Sequence, residues 1–110
     1  MNIYIGNSLS EINTGDDNVE FSDELMDFIY KLRTKNVFDM NKLYEIDPYA
    51  DVEISKMDLP RIIDICNYIL RESLLEDYVE QDEGTGMVLD LIQIAQKALK
   101  EDRGLVSVGD

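Results

Sequence analysis

The chain contains no histidine and no tryptophan, one cysteine, two prolines and only 10 basic side chains. Each shortage excludes something. Without histidine, the commonest general base and the commonest zinc ligand are missing. The lone Cys66 can neither close an internal disulfide nor build a thiolate metal site, which fits a reducing compartment. The few Lys and Arg face 24 acidic residues, leaving a formal charge of −14. Phosphate binding is driven by basic side chains that release counterions, so nucleic acid is disfavoured as a partner, and an anionic membrane surface likewise. No apolar run approaches the roughly 18–20 residues of a membrane helix, and the N-terminus lacks the basic and apolar regions of a secretory signal. The expectation is a cytoplasmic protein that is not an enzyme and carries no cofactor and no metal.

What is present points to a globular fold. The 110 residues, 45% of them apolar with a mean hydropathy of −0.24, suit one domain over 1–110. Asn2–Gly6 alternates like a short strand, and residues 6–18 carry turn chemistry before a brief second strand at Val19–Phe21. Ser22 is placed to cap a helix over 23–35, with Asp23 and Glu24 in its first turn and Leu25, Phe28, Ile29 and Leu32 on one face. Asp39 starts a short helix carrying Met40, Leu43, Tyr44 and Ile46, and Asp47-Pro48 ends it. Tyr49–Ser55 reads as loop or extended chain. Asp58 then caps a long helix with Pro60 in its first turn, extending through Leu75, Tyr78 and Val79 to about 80. Gln81–Gly86 is the expected break. A last helix spans 86–101, Gly104 ends it at a C′ position, and Leu105–Val108 forms a closing strand before Gly109-Asp110. The predicted class is α+β, mainly α, with three to four helices and a small sheet in which the terminal strands meet. Ile62, Ile63, Cys66, Ile69, Val88, Leu91, Ile92 and Ala95 form its expected core.

The candidate sites divide between chemistry and surface. Asp16-Asp17 is a carboxylate pair in a turn, where Asp serves local backbone bonds more often than a catalytic dyad. Asp47, Asp51 and Glu53, and separately Glu80, Asp82 and Glu83, offer oxygen ligands to calcium but lack the EF-hand spacing. Glu83-Gly84-Thr85-Gly86 has the look of a phosphate turn without its lysine, and reads as a helix connection. Cys66 lies on an apolar stripe with no histidine to activate it.

Charge is the stronger signal. Two blocks without any base, residues 1–30 and 72–96, hold fourteen of the 24 carboxylates. The second block contains Glu72, Glu76, Asp77, Glu80, Asp82 and Glu83 around Tyr78, and this face is the expected partner-binding surface with Tyr78 as its aromatic anchor. On a continuous helix, Glu72 with Glu76 and Glu76 with Glu80 would repel at i,i+4 spacing. Such a cost suggests a purpose beyond solubility, although a solvated helix end is the plainer reading. Tyr49, outside any helix and between Pro48 and Ala50, is a second tyrosine of the kind enriched in interfaces, against the plainer reading that such rings cover core edges.

Leu43-Tyr44-Glu45-Ile46-Asp47-Pro48-Tyr49-Ala50-Asp51 ahead of an amphipathic helix, together with the closing Gly104-Leu105-Val106-Ser107-Val108-Gly109-Asp110, resembles the small acidic immunity proteins of bacterial polymorphic toxin systems. The resemblance covers about half of the chain. It implies an inhibitor that binds a toxin domain, often a basic nuclease, in the cytoplasm of the producing cell. It carries no site residues of its own. The function expected is an acidic module that covers the active site of a basic toxin or enzyme. The alternative is a structural or regulatory module that self-associates as a homodimer.

Overall fold

A computed structural model describes residues 1–109; Asp110, the last residue of the closing Gly–Asp step, lies outside the described residues. The fold is α+β. Strands β1 (Asn2–Ile5), β2 (Asn18–Glu20), β3 (Val52–Ile54) and β4 (Leu105–Val108) form one antiparallel sheet in the order β2-β1-β4-β3. Helices α1 (Asp23–Lys31), α2 (Asn41–Tyr44), α3 (Leu59–Arg71) and α4 (Gln81–Lys100) complete it. The terminal strands pair as expected, Ile3 opposite Ser107 and Ile5 opposite Leu105. The stretch Tyr49–Ser55 contributes β3, whose alternating Val52-Glu53-Ile54 sets Ile54 opposite Leu105.

Register decides which residues enter the core. Side chains alternate across a sheet, so Ile3, Leu105 and Ile54 share the face that meets the helices. Ser107 falls on the same face and is fully buried; its hydroxyl donates to Met1 Sδ at 3.2 Å. Tyr4 and Val106 occupy the opposite face and are buried too, because residues 6–12 fold back over it. Leu9 N–H donates to Glu53 Oε2 at 2.9 Å and Arg103 bonds Glu11 at 3.2 Å, which pins that flap to β3 and to the end of α4. Partial desolvation opposes ionisation of Glu11, but the hydrogen bonds from Arg103 and the Asn7 N–H, with the Arg103 charge, hold its carboxyl below the ordinary range.

The helix starts follow local chemistry. Ser22 Oγ accepts from Leu25 N–H at 3.1 Å, capping α1, and Asp27 pairs with Lys31 at 2.9 Å. Asp39 receives Asn41 N–H at 2.9 Å at the head of α2. Asp58, the expected cap of α3, makes no side-chain cap bond. Ser55 instead accepts from Met57 N–H and starts a 3₁₀ turn, Lys56–Asp58, that runs directly into the helix.

The helix ends depart further from expectation. α3 stops at Arg71, and the chain turns through residues 72–80 before α4 begins at Gln81 rather than at 86. At the stop, Ser73 takes φ 53°, Ser73 N–H returns to Leu70 O and Leu74 N–H to Ile69 O, the paired bonds of a Schellman cap. α4 closes in the same way with Asp102 at φ 57°, so Asp102 rather than Gly104 holds the C′ position. Gly104 is needed for another reason: a Cβ there would collide with the backbone carbonyl of Ile54. The break moves to 72–80 because carboxylates oppose a helix dipole at its C-terminus and favour it at an N-terminus. Glu72, Glu76 and Asp77 would extend α3 against its dipole, whereas Asp82 and Glu83 sit in the first turn of α4.

The core lies between the sheet and the packed pair α3 and α4. Ile62, Cys66, Ile69, Val88, Leu91, Ile92 and Ala95 are buried as expected. Ile63 is only partly buried, and Ile65 takes its place. The buried arc of α3 is centred between Ile62 and Ile69, which puts Ile63 and Leu70 at one margin. Burial pushes the Cys66 thiol up to about 12, so it is inert.

Two stability outcomes follow. Ile65→Ala should cost about 2–5 kcal/mol and Ile63→Ala distinctly less, read from urea midpoints; equal losses would contradict this placement of the core. Gly86 lies inside α4 with open space where a Cβ would be, so Gly86→Ala should stabilise by about 0.5–1 kcal/mol. Gly84→Ala should do the opposite, since its Cβ would stand 2.9 Å from the Tyr78 ring.

Candidate functional site

The fold brings the two base-free blocks together. Tyr78 leaves the turn segment and packs its ring 5.0 Å from that of Phe28 on α1. Beneath it, Gly84 of α4 is buried, and a Cβ added there would also lie 3.3 Å from Leu25 Cδ1. This close approach sets the first turn of α4 beside the first turn of α1. Glu80 feels it directly. Its carboxyl is held above the ordinary value by a hydrogen bond with Glu83, by the Glu83 charge, by partial desolvation and by the charge of Glu24.

The seven residues expected to form the binding surface therefore have different fates. Glu80 and Glu83 join Glu24 in one acidic cluster across two helices. Asp82 is exposed in the first turn of α4, and Glu72, Glu76 and Asp77 are exposed along the turn segment. The helical i,i+4 repulsion expected among Glu72, Glu76 and Glu80 does not arise, because no helix runs through them. Tyr78 is half-buried against Phe28 and over Gly84, so its ring serves first to join α4 to α1.

A groove runs along the opposite flank of α1. It has a volume of about 330 Å³, with Met26 and Tyr30 on one wall and Tyr44, Pro48 and Tyr49 on the other. Asp23, Glu24 and Asp27 line its acidic side. The Tyr49 hydroxyl donates to Asp23 Oδ2 at 3.0 Å, and the Tyr44 hydroxyl donates to the Ile29 carbonyl at 3.3 Å. Tyr30 and Tyr44 meet edge to face with centroids 5.1 Å apart. Burial chiefly pushes the Tyr44 phenol up, with the Arg33 charge opposing. Tyr44 and Tyr49 are thus held by their hydroxyls, and Tyr30 by the Tyr44 ring and the Arg33 guanidinium, while Tyr30 and Tyr49 keep 43% and 67% of their surface exposed. Half of this groove was visible in the sequence: Asp23 with Asp27 and Met26 with Tyr30 repeat at i,i+4 on α1. The other wall, from Tyr44 to Tyr49, arrives by tertiary packing and has no local signal.

The remaining candidates are absorbed by structure. Asp47 accepts Tyr49 N–H, Asp51 accepts Gly109 N–H and Glu53 accepts Leu9 N–H, so these three carboxylates serve three separate pieces of backbone. Asp16 accepts Asn13 N–H within its turn, as Asp does in loops. Among the described residues no group of three or more His, Cys, Asp or Glu is arranged to hold a metal ion. The Glu83–Gly86 stretch lies inside α4 rather than before it.

The acidic cluster carries a pH signature. A carboxyl whose folded pKa is raised stabilises the fold fully below its unfolded value, near 4.5, and loses that contribution as pH rises through the folded value. Glu80→Gln mimics the protonated state, so it should melt higher than wild type at pH 7, with the gap closing below pH 4.5. A gap that persists unchanged in thermal melts at acid pH would contradict the pairing with Glu83. No protein-family model matches this chain, and neither a curated protein nor a solved structure matches it significantly.

Proposed function

We propose that this chain is a small acidic protein-binding module that neutralises a basic toxin or enzyme by covering its active site, in the manner of an immunity-type inhibitor. The observation that carries this reading is the convergence of the base-free blocks. Carboxylates that are far apart in sequence come together on α1 and α4 around Glu24, Glu80 and Glu83. A surplus of this kind steers a cationic partner and occupies a site built for an anionic substrate. Self-association is the competing reading. Of the exposed large apolar side chains, Leu9, Val37, Met57 and Val79 lie on separate segments, Leu89 and Leu99 are ten residues apart on α4, and Tyr30 and Tyr49 line the acidic groove beside α1. No helix among the described residues is long and apolar enough to cross a membrane.

The test begins with the polypeptides encoded beside this chain's gene. One of them should arrest growth when expressed alone and be rescued by co-expression of this chain. Charge reversal at Glu76 and Glu80 to Lys should slow association with it by about tenfold at low ionic strength, and added salt should shrink the difference. Undiminished toxicity with saturating chain, or association that ignores both salt and charge reversal, would overturn the reading.

A further inference from the structure

We infer that the groove between α1 and Tyr44–Tyr49 is a receptor for one arginine side chain of a basic protein partner. The inference rests on the reading above for the existence of such a partner, and on the groove alone for what it takes. Its lining combines ring faces with carboxylates, and that pairing selects by exclusion. An anion would meet Asp23, Glu24 and Asp27 together. An apolar side chain would strip water from those carboxylates and give nothing in return. A cation satisfies both components, because a ring face and a carboxylate each attract it.

The local charge supports a guest with a positive head. Asp27 is paired with Lys31, but both side chains are well exposed, so that pair is weak and easily exchanged. Glu24 makes no ion pair with any described residue, and its charge acts on Glu80, which is of the same sign. The dipole of α1 supplies roughly half a positive charge at its N-terminus, and Arg33, stacked on Tyr30 and felt by Tyr44, adds another cation beside the rings; with Lys31 counted as well, the three carboxylates are left only slightly in excess.

Arginine suits the geometry better than lysine. A guanidinium is planar and weakly hydrated, stacks on an aromatic face and bonds a carboxylate through two parallel N–H groups, whereas an ammonium is a compact, strongly hydrated point charge. The fold already uses this contact on its own surface. Arg33, which does not line the groove, lies with its guanidinium carbon 3.9 Å over the Tyr30 ring, and Arg61 stands 4.6 Å over Phe38. Tyr49, tied through its hydroxyl to Asp23, is the ring presented at the groove with a carboxylate already beside it. Because the rings are positioned before any guest arrives, little ordering is needed on binding.

The experiment is a titration of the ¹⁵N-labelled full chain with a capped Gly-Arg-Gly peptide, alongside the lysine and citrulline counterparts, at low ionic strength. Saturable shifts confined to the first turns of α1 and to residues 44–49 are expected, with the lysine peptide binding more weakly and citrulline hardly at all. Tyr49→Ala should weaken the arginine peptide by about two- to fivefold, the range expected for one exposed cation–π contact. Asp27→Asn should weaken it as well, while unchanged amide dispersion shows that both variants remain folded. Shifts centred on residues 72–83, equal binding of arginine and citrulline, or a Tyr49→Ala variant that binds as wild type would overturn the assignment. If the groove is silent while the co-encoded toxin still associates in a salt-sensitive way, the arginine receptor fails and the inhibitor reading stands. If the groove responds but no co-encoded polypeptide is neutralised, the inhibitor reading fails and the receptor stands.

Discussion

Carboxylates repel, so a face that gathers Glu24, Glu80 and Glu83 has to be held together from below. The restraint is the close approach of α1 to α4 at Gly84. Two unit charges 4 Å apart in water cost only about 1 kcal/mol, and salt reduces this further. Burying a leucine side chain is worth about 1.5–3 kcal/mol. Leu25 is fully buried beside Gly84, and Phe28 and Tyr78 pack ring to ring over the same junction. The apolar term therefore outweighs the repulsion, and the helix accepts a glycine in its interior so that the two first turns can approach.

The sheet fixes where those helices stand. β4 is the last element in the chain, yet it sits in the middle of the sheet between β1 and β3. Chain ends and centre must therefore meet before the helices have a floor. The N-terminus is tied down within this arrangement, with Phe21 N–H donating to Met1 O at 3.0 Å and the Met1 amine donating to Phe21 O at 3.1 Å. Gly104 permits the close passage of β3, and the flap over residues 6–12 closes the outer face. Both edge strands are three residues long and carry a glutamate, Glu20 or Glu53, which suits edges that should not pair with another chain.

The acidic composition is thus used in two ways. One part is structural: Asp16, Asp39, Asp47, Asp51 and Glu53 each accept a backbone N–H in a turn or at an element end. These carboxylates replace peptide partners that a short loop cannot supply. The other part, on α1 and α4 and along the turn between α3 and α4, faces solvent and sets the field that a partner would meet.

Much of the fold was legible residue by residue, because its signals are local. The Ser22 cap, the apolar stripe of α3 and the pairing of two strands too short to stand alone all follow from periodicity and turn chemistry within a few residues, whereas α2 ends at Tyr44, ahead of the stop expected at Asp47-Pro48. The charge and the lack of histidine and paired cysteine likewise bounded the chemistry by themselves. Four features were decided by tertiary structure. Carboxylates at 72–77 disfavour a longer α3, but the path of the chain through 72–80 was set by Leu75 and Tyr78 turning inward, Tyr78 to a partner on α1 that no local pattern announces. Val52–Ile54 became a strand because β4 offered it an open edge, not because its own propensity required one. The groove beside α1 needed a second wall from Tyr44–Tyr49, and the two acidic blocks needed Gly84 to meet. Contacts of this kind depend on what shares a volume after collapse, and sequence spacing carries no measure of that distance.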